Sequence, residues 1–229
     1  MKSAKKSNTK PIIKILKIVG AALGIIILIA AIFVGVLTVT EYKPQDSEDL
    51  TVTYNDQPAT QDASFPTDTN KLSQQKELSI GDNISVVTWN IGYGSLGANA
   101  DFFMDGGNSV YTSTKEQVLT NMSAITEELN SLSPDIILLQ EVDEKSSRSH
   151  KINEESIIKD ELSSYNSSYA YNYKTLMVPY PIPPIGQVAS GIMTLSTYPV
   201  STACRIKLPC PFSYPIRLCN LKRCLIVSR

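Results

Sequence analysis

The chain has 229 residues, 42% of them hydrophobic, with 21 basic side chains against 22 acidic ones and four cysteines. That length holds one domain of moderate size with segments to spare. A net charge of −1 excludes the strong cationic field by which proteins hold nucleic acid non-specifically.

The first predicted element is a charge-free stretch from Ile18 to Thr40, long enough as a helix to cross a hydrocarbon core about 30 Å thick. Six lysines (Lys2, Lys5, Lys6, Lys10, Lys14, Lys17) precede it and the first acid is Glu41. The positive-inside rule therefore places residues 1–17 in the cytoplasm as a basic tail and residues 18–40 across the cell membrane, with the rest outside. A cleavable signal peptide is the alternative, but the run is long for one and GVLTVT (35–40) offers no A-x-A-like cleavage site.

Residues 41–82 carry nine acids and three lysines and few large apolar side chains. Without periodicity, such a segment cannot offset the entropy of ordering, so a flexible acidic stalk is expected there. From residue 83 onward acids and bases nearly balance, at 13 and 12. The bases are skewed, however: Arg205, Lys207, Arg217, Lys222, Arg223 and Arg229 follow Pro199 with no acid among them. A solvated face is the plain reading and a phosphate-facing rim the sharper one. Cys204, Cys210, Cys219 and Cys224 share this segment without a C-x-x-C pattern. Disulfides are permitted outside the cell, while Cys224 within CLIVS suits a small buried side chain.

The domain opens with the β-branched run Ile84 to Thr88, which leads into Trp89, Asn90 and the glycine cluster IGYGSLG. Ser113-x-x-Glu116 fits a helix N-terminal capping box, and Val118, Met122, Ile125 and Leu129 form one apolar helical stripe that stops before Pro134. Then comes PDIILLQEVD (134–143), an apolar strand ending in Gln140, Glu141 and Asp143. Strand, helix, strand implies a right-handed crossover and parallel pairing, which brings Asn90 and Glu141 to the same sheet edge. An amide and a carboxylate there suit a hard cation such as Mg²⁺, with Mn²⁺ as the alternative; a solvated loop start is the bland reading. Gly92 to Gly97 satisfies G-x-G-x-x-G, yet some fifteen residues separate it from the helix, so a dinucleotide site is not expected and the glycines read as a loop approaching the site.

VVTWNIGYGS, PDIILLQEVD and SGIMTLSTYPV together resemble the endonuclease/exonuclease/phosphatase (DNase I-like) superfamily of Mg²⁺-dependent phosphohydrolases. The resemblance spans Ile84 to Arg229. It implies a four-layer α/β sandwich, with two packed mixed sheets flanked by helices. It also implies that Glu141 binds the metal, that Asn90 helps hold metal or phosphate, and that Arg148 is a candidate phosphate contact, an ordinary surface arginine being the alternative. The prolines of Asn172 to Gln187 suit either a stiff pocket wall or a cover over a sheet edge. The family's Asp-x-Asn and Asp-His pairs, which activate water and stabilise the leaving group, are absent. The domain, residues 83–229, is therefore expected to be partial and truncated at its C-terminus. His150, flanked by charge, reads as a surface residue. These observations imply a membrane-anchored hydrolase of phosphate esters, its substrate a lipid headgroup or small phosphoester rather than long nucleic acid. The alternative is a non-catalytic surface module that binds phosphorylated ligands.

Overall fold

The computed structural model describes residues 10–54, 78–98 and 100–229, which fall into two units, Met1–Thr40 and Glu41–Arg229. Among the described residues, the first unit consists of one helix, α1 (Lys10–Val39), of which Ile13–Val39 is long and apolar enough to cross a membrane. It begins earlier than the charge-free run because lysines are good helix formers. At its far end the hydroxyls of Thr38 and Thr40 donate to the carbonyls of Val34 and Val36, at 2.7 and 2.8 Å. The Val36 carbonyl also accepts from the Thr40 backbone N–H at 2.9 Å.

The second unit is mixed α/β with two sheets, the class the sequence implies. In chain order its strands are β1 (Ser47–Leu50), β2 (Val52–Thr53), β3 (Val86–Asn90), β4 (Ile136–Asp143), β5 (Asn166–Val178), β6 (Gly186–Ser196), β7 (Ala203–Lys207) and β8 (Cys224–Ser228). Its helices are α2 (Lys115–Leu132) and α3 (Glu154–Glu161). The larger sheet has the order β2-β5-β6-β4-β3, with β3 and β4 parallel and the other neighbours antiparallel. The smaller one, β1-β7-β8, is antiparallel throughout.

The stripe Val118, Met122, Ile125 and Leu129 is buried as its spacing demands, against Ile137, Leu139, Met193 and Leu195 of the larger sheet. The cap of α2 falls one residue later than expected. Thr114, not Ser113, is the N-cap, its Oγ1 accepting from Gln117 N–H at 3.2 Å, while the Ser113 hydroxyl donates to the Ser95 carbonyl at 2.9 Å. T-x-x-Q fits the capping pattern as well as S-x-x-E does.

The stalk reading is corrected for its first part. Residues 47–50 pair with β7 and residues 52–53 with β5, so this strap bridges both sheets. Its order comes from partners more than a hundred residues away, which local composition does not reveal. The remainder of the expected stalk, residues 55–77, lies outside the described residues. The basic C-terminal run is also not simply solvated. Arg205 is 1% exposed, and it donates to the carbonyls of Tyr171 and Lys222 at 3.1 and 2.7 Å. All four cysteines are free thiols, with Cys224 buried. The proline-rich stretch forms the distal end of the β5–β6 hairpin, and the Tyr111 hydroxyl donates to the carbonyls of Pro184 and Ile185 there, each at 3.1 Å.

Candidate metal and phosphate site at the strand ends

Parallel pairing sets Asn90 opposite Gln140, one residue short of Glu141. The Asn90 amide Nδ2 donates to Glu141 Oε1 at 3.0 Å. Its Oδ1 accepts from Gly92 N–H, also at 3.0 Å. Asn90 is thus held at both ends, by the first glycine of the loop and by the carboxylate it orients.

Glu141 reaches this position through a β-bulge. The pairing of β4 with β6 slips between Gln140 and Val142, and Glu141 has a left-handed backbone, φ 56°. On β4 the fully buried apolar positions are Ile137 and Leu139 before the slip and Val142 after it. One extra residue in a strand flips every later side chain to the other face. Without the bulge, alternation would aim Glu141 at the apolar face beside Leu139. The bulge expels it to the sheet edge instead, and the strain of a non-glycine residue in that region, about 1–2 kcal/mol, is borne by the surrounding ladder.

Behind the edge lies a buried polar network. The Asp143 carboxylate, fully buried, accepts from Arg148 Nε and Nη2 at 3.0 and 2.9 Å and from the Ser149 hydroxyl at 3.0 Å. Arg148 Nη2 also donates to Ser190 Oγ at 3.1 Å, and its guanidinium lies 3.7 Å from the centre of the Tyr93 ring. Burial alone would lower the pKa of Arg148, but the charge and hydrogen bonds of Asp143 outweigh it and raise it. The surface-arginine reading is therefore corrected: Arg148 has a side chain 13% exposed and ties the end of β4 to the glycine loop. Burial also pushes the Tyr93 hydroxyl up.

Glu154, at the start of α3, accepts from Asp143 N–H at 2.8 Å through Oε2. Burial, then the charge of Asp143, pushes its carboxyl well above the ordinary range and favours the neutral acid. His150 is half-buried rather than on the surface, with Nε2 2.7 Å from the Ser113 carbonyl. Facing a carbonyl oxygen, that nitrogen must carry the proton.

Glu141 Oε2 has no hydrogen-bond partner among the described residues, and Oε1 accepts only from an amide. Such a donor set fits Mg²⁺, which takes one or two carboxylates and completes its shell with water and substrate phosphate. The described residues contain no group of three or more His, Cys, Asp or Glu side chains placed to share an ion. The glycine loop has left-handed Gly92 and Gly94, and a side chain on Gly94 would press on Val118 and Met122 of α2. It makes a short 3-10 turn (Gly92–Gly94) and opens no helix. A separate cavity of about 300 Å³ is lined by Tyr42, Glu48, Glu155, Lys159, Tyr171 and Arg205 among others and contains neither Asn90 nor Glu141.

The bulge and the Asp143–Arg148–Tyr93 network were not read from the sequence. A signal existed in the two acids at 141 and 143: a regular strand would set both on one face, yet only one can be a ligand while the other is buried.

Residues 87–226 match the endonuclease/exonuclease/phosphatase family, and the chain belongs to it. Two solved structures are similar to it, each at 12% sequence identity. An endonuclease/exonuclease/phosphatase from Beutenbergia cavernae DSM 12333 has a TM-score of 0.32 and covers 56% of this chain and 35% of its own. An endonuclease/exonuclease/phosphatase family protein from Leptotrichia buccalis C-1013-b has a TM-score of 0.31, with 55% and 50% covered. The chain thus spans half or less of the length of either. No curated protein matches it.

Proposed function

We propose that this chain carries the metal-holding edge of a Mg²⁺-dependent phosphoesterase anchored in the cell membrane by α1, its N-terminus cytoplasmic and its domain outside. The observation that carries the reading is the 3.0 Å contact between Asn90 Nδ2 and Glu141 Oε1 at the ends of two parallel strands. Family membership supports a hydrolase of phosphate esters. Because the chain spans 35% and 50% of the two solved relatives, the activity of the whole protein is part of the proposal.

Glu141 would hold the metal, which when bound supplies charge neutralisation at a phosphate oxygen. Asn90 holds the Glu141 carboxylate in orientation and is itself fixed by Gly92 N–H. Arg148, with two donors committed to Asp143, acts as a positioning residue that anchors Tyr93 and the glycine loop beneath the edge. The lysine-flanked apolar helix supports the anchor and its orientation.

A second reading, a surface module that binds phosphorylated ligands without turnover, is favoured by the donor set itself: one carboxylate, and a histidine turned to the Ser113 carbonyl. General base catalysis needs a group within hydrogen-bond reach of the attacking water. Hydrolysis of a chromogenic phosphodiester by the purified full chain, with and without Mg²⁺, separates the two. Turnover abolished by Glu141→Gln supports the enzyme. Mg²⁺-dependent binding of inorganic phosphate without turnover supports the module, and no Mg²⁺-dependent binding in either assay sinks both.

A further inference from the structure

We infer that residues 212–223, together with the hairpin tip at 179–185, form a bilayer-facing surface that seats on anionic phospholipid headgroups. The inference rests on the reading of α1 as a membrane span.

The chain sets the reach. Glu41 comes two residues after Val39, the last residue of α1, and two extended residues span at most about 7 Å. Its side chain is nonetheless 4% exposed, held by Arg217 Nε at 3.2 Å and Lys222 Nζ at 3.4 Å, with Lys43 at 3.8 Å. These pairs tie the turn carrying Arg217 and Lys222 to a residue that follows α1 closely in the chain. Three cations share one carboxylate, so the cluster keeps a positive excess, and Arg223 beside it is exposed.

The apolar side chains of this turn face out. Tyr214 is 52% exposed and Ile216 58%, next to Arg217, whose side chain is 44% exposed. The turn is fixed to β5, because Tyr173 Oη donates to the Cys219 carbonyl at 2.8 Å and Thr175 Oγ1 to that of Leu218 at 3.0 Å. The same end of β5 continues into the hairpin tip, where Tyr180 is 73% exposed and Ile182 92%. Tyrosine and aliphatic side chains beside lysine and arginine are the composition of segments that lie at a headgroup boundary. Basic residues there gain from the negative surface of anionic lipid.

Register places the candidate site at this end too. β4 ends with Asp143 opposite Ser190, and β6 runs on beyond that pair to Gly186 and the tip. Glu141 is two strands from β5, roughly 10 Å across the sheet.

Fluorescence quenching tests the surface on the full chain in vesicles of phosphatidylcholine, with or without phosphatidylserine. The chain has one tryptophan, Trp89, whose emission in the wild type is subtracted. Tyr214→Trp and Ile216→Trp report the turn, Leu119→Trp reports the exposed face of α2, and Ile27→Trp reports the anchor. The account expects lipids brominated near the headgroup to quench Tyr214→Trp and Ile216→Trp several-fold more than Leu119→Trp, and more strongly with phosphatidylserine present. Deep bromines should quench Ile27→Trp. If Ile27→Trp is quenched at depth while Tyr214→Trp matches Leu119→Trp, the anchor stands and the docking surface is overturned. If deep bromines leave Ile27→Trp untouched, the anchor reading fails and the inference with it. Quenching of Tyr214→Trp that ignores phosphatidylserine keeps the bilayer seat and overturns its preference for anionic lipid.

Discussion

Glu41 and Glu141 are handled in opposite ways. Glu41 is nearly buried and faces Arg217, Lys222 and Lys43, so its charge is more than neutralised by the chain's own cations. Glu141 is expelled to a sheet edge by a bulge and receives a single amide hydrogen bond. A carboxylate with surplus cations is spent on structure. One that is positioned but not neutralised has coordination capacity left for a ligand, and that contrast, rather than acidity itself, makes the strand-end region the candidate site.

The contrast breaks most easily at its foundation. Arg148→Ala would leave Asp143 a buried carboxylate without its cation, and breaking such a pair costs about 3–5 kcal/mol. A urea unfolding curve of the variant should show that loss; an unchanged midpoint would mean the network behind Glu141 is not what holds the edge. Glu41→Gln is a smaller perturbation, about 1 kcal/mol because its partners are partly solvated. It should speed proteolysis of residues 41–53 and leave Mg²⁺ affinity unaltered, whereas a change in Mg²⁺ affinity would erase the distinction between the two glutamates.

A further prediction concerns Glu154. Its folded pKa lies above the ordinary 4.5, from burial first and then the charge of Asp143. Its contribution to stability is therefore complete below pH 4.5 and is lost as pH rises through the raised value. Glu154→Gln cannot titrate, so its melting temperature relative to the parent should climb as pH increases from 4.5 toward neutrality. A constant difference across that range would mean that Glu154 is ionised in the folded protein.

What could be read in advance was whatever a short window of residues determines alone. The apolar run Ile136 to Leu139 and the stripe on α2 carry their own periodicity, so both elements, their parallel crossover and the meeting of Asn90 with Glu141 followed from the residues. β1 and β2 are four and two residues long and exist through pairing with β7 and β5; composition made them a stalk. The run of bases after Pro199 hid the burial of Arg205 for the same reason, since its carbonyl partners, Tyr171 and Lys222, are distant in sequence. The bulge at Glu141 left at most an indirect trace, since a regular strand would set Glu141 and Asp143 on one face.

Calorimetric titration of Mg²⁺ into the detergent-solubilised full chain tests the central claim most directly. The account predicts saturable binding by the parent, affinity lower by about 10–100-fold in Asn90→Ala because an orienting partner is lost, and no measurable binding in Glu141→Gln. Equal Mg²⁺ affinity in the parent and Glu141→Gln would contradict it.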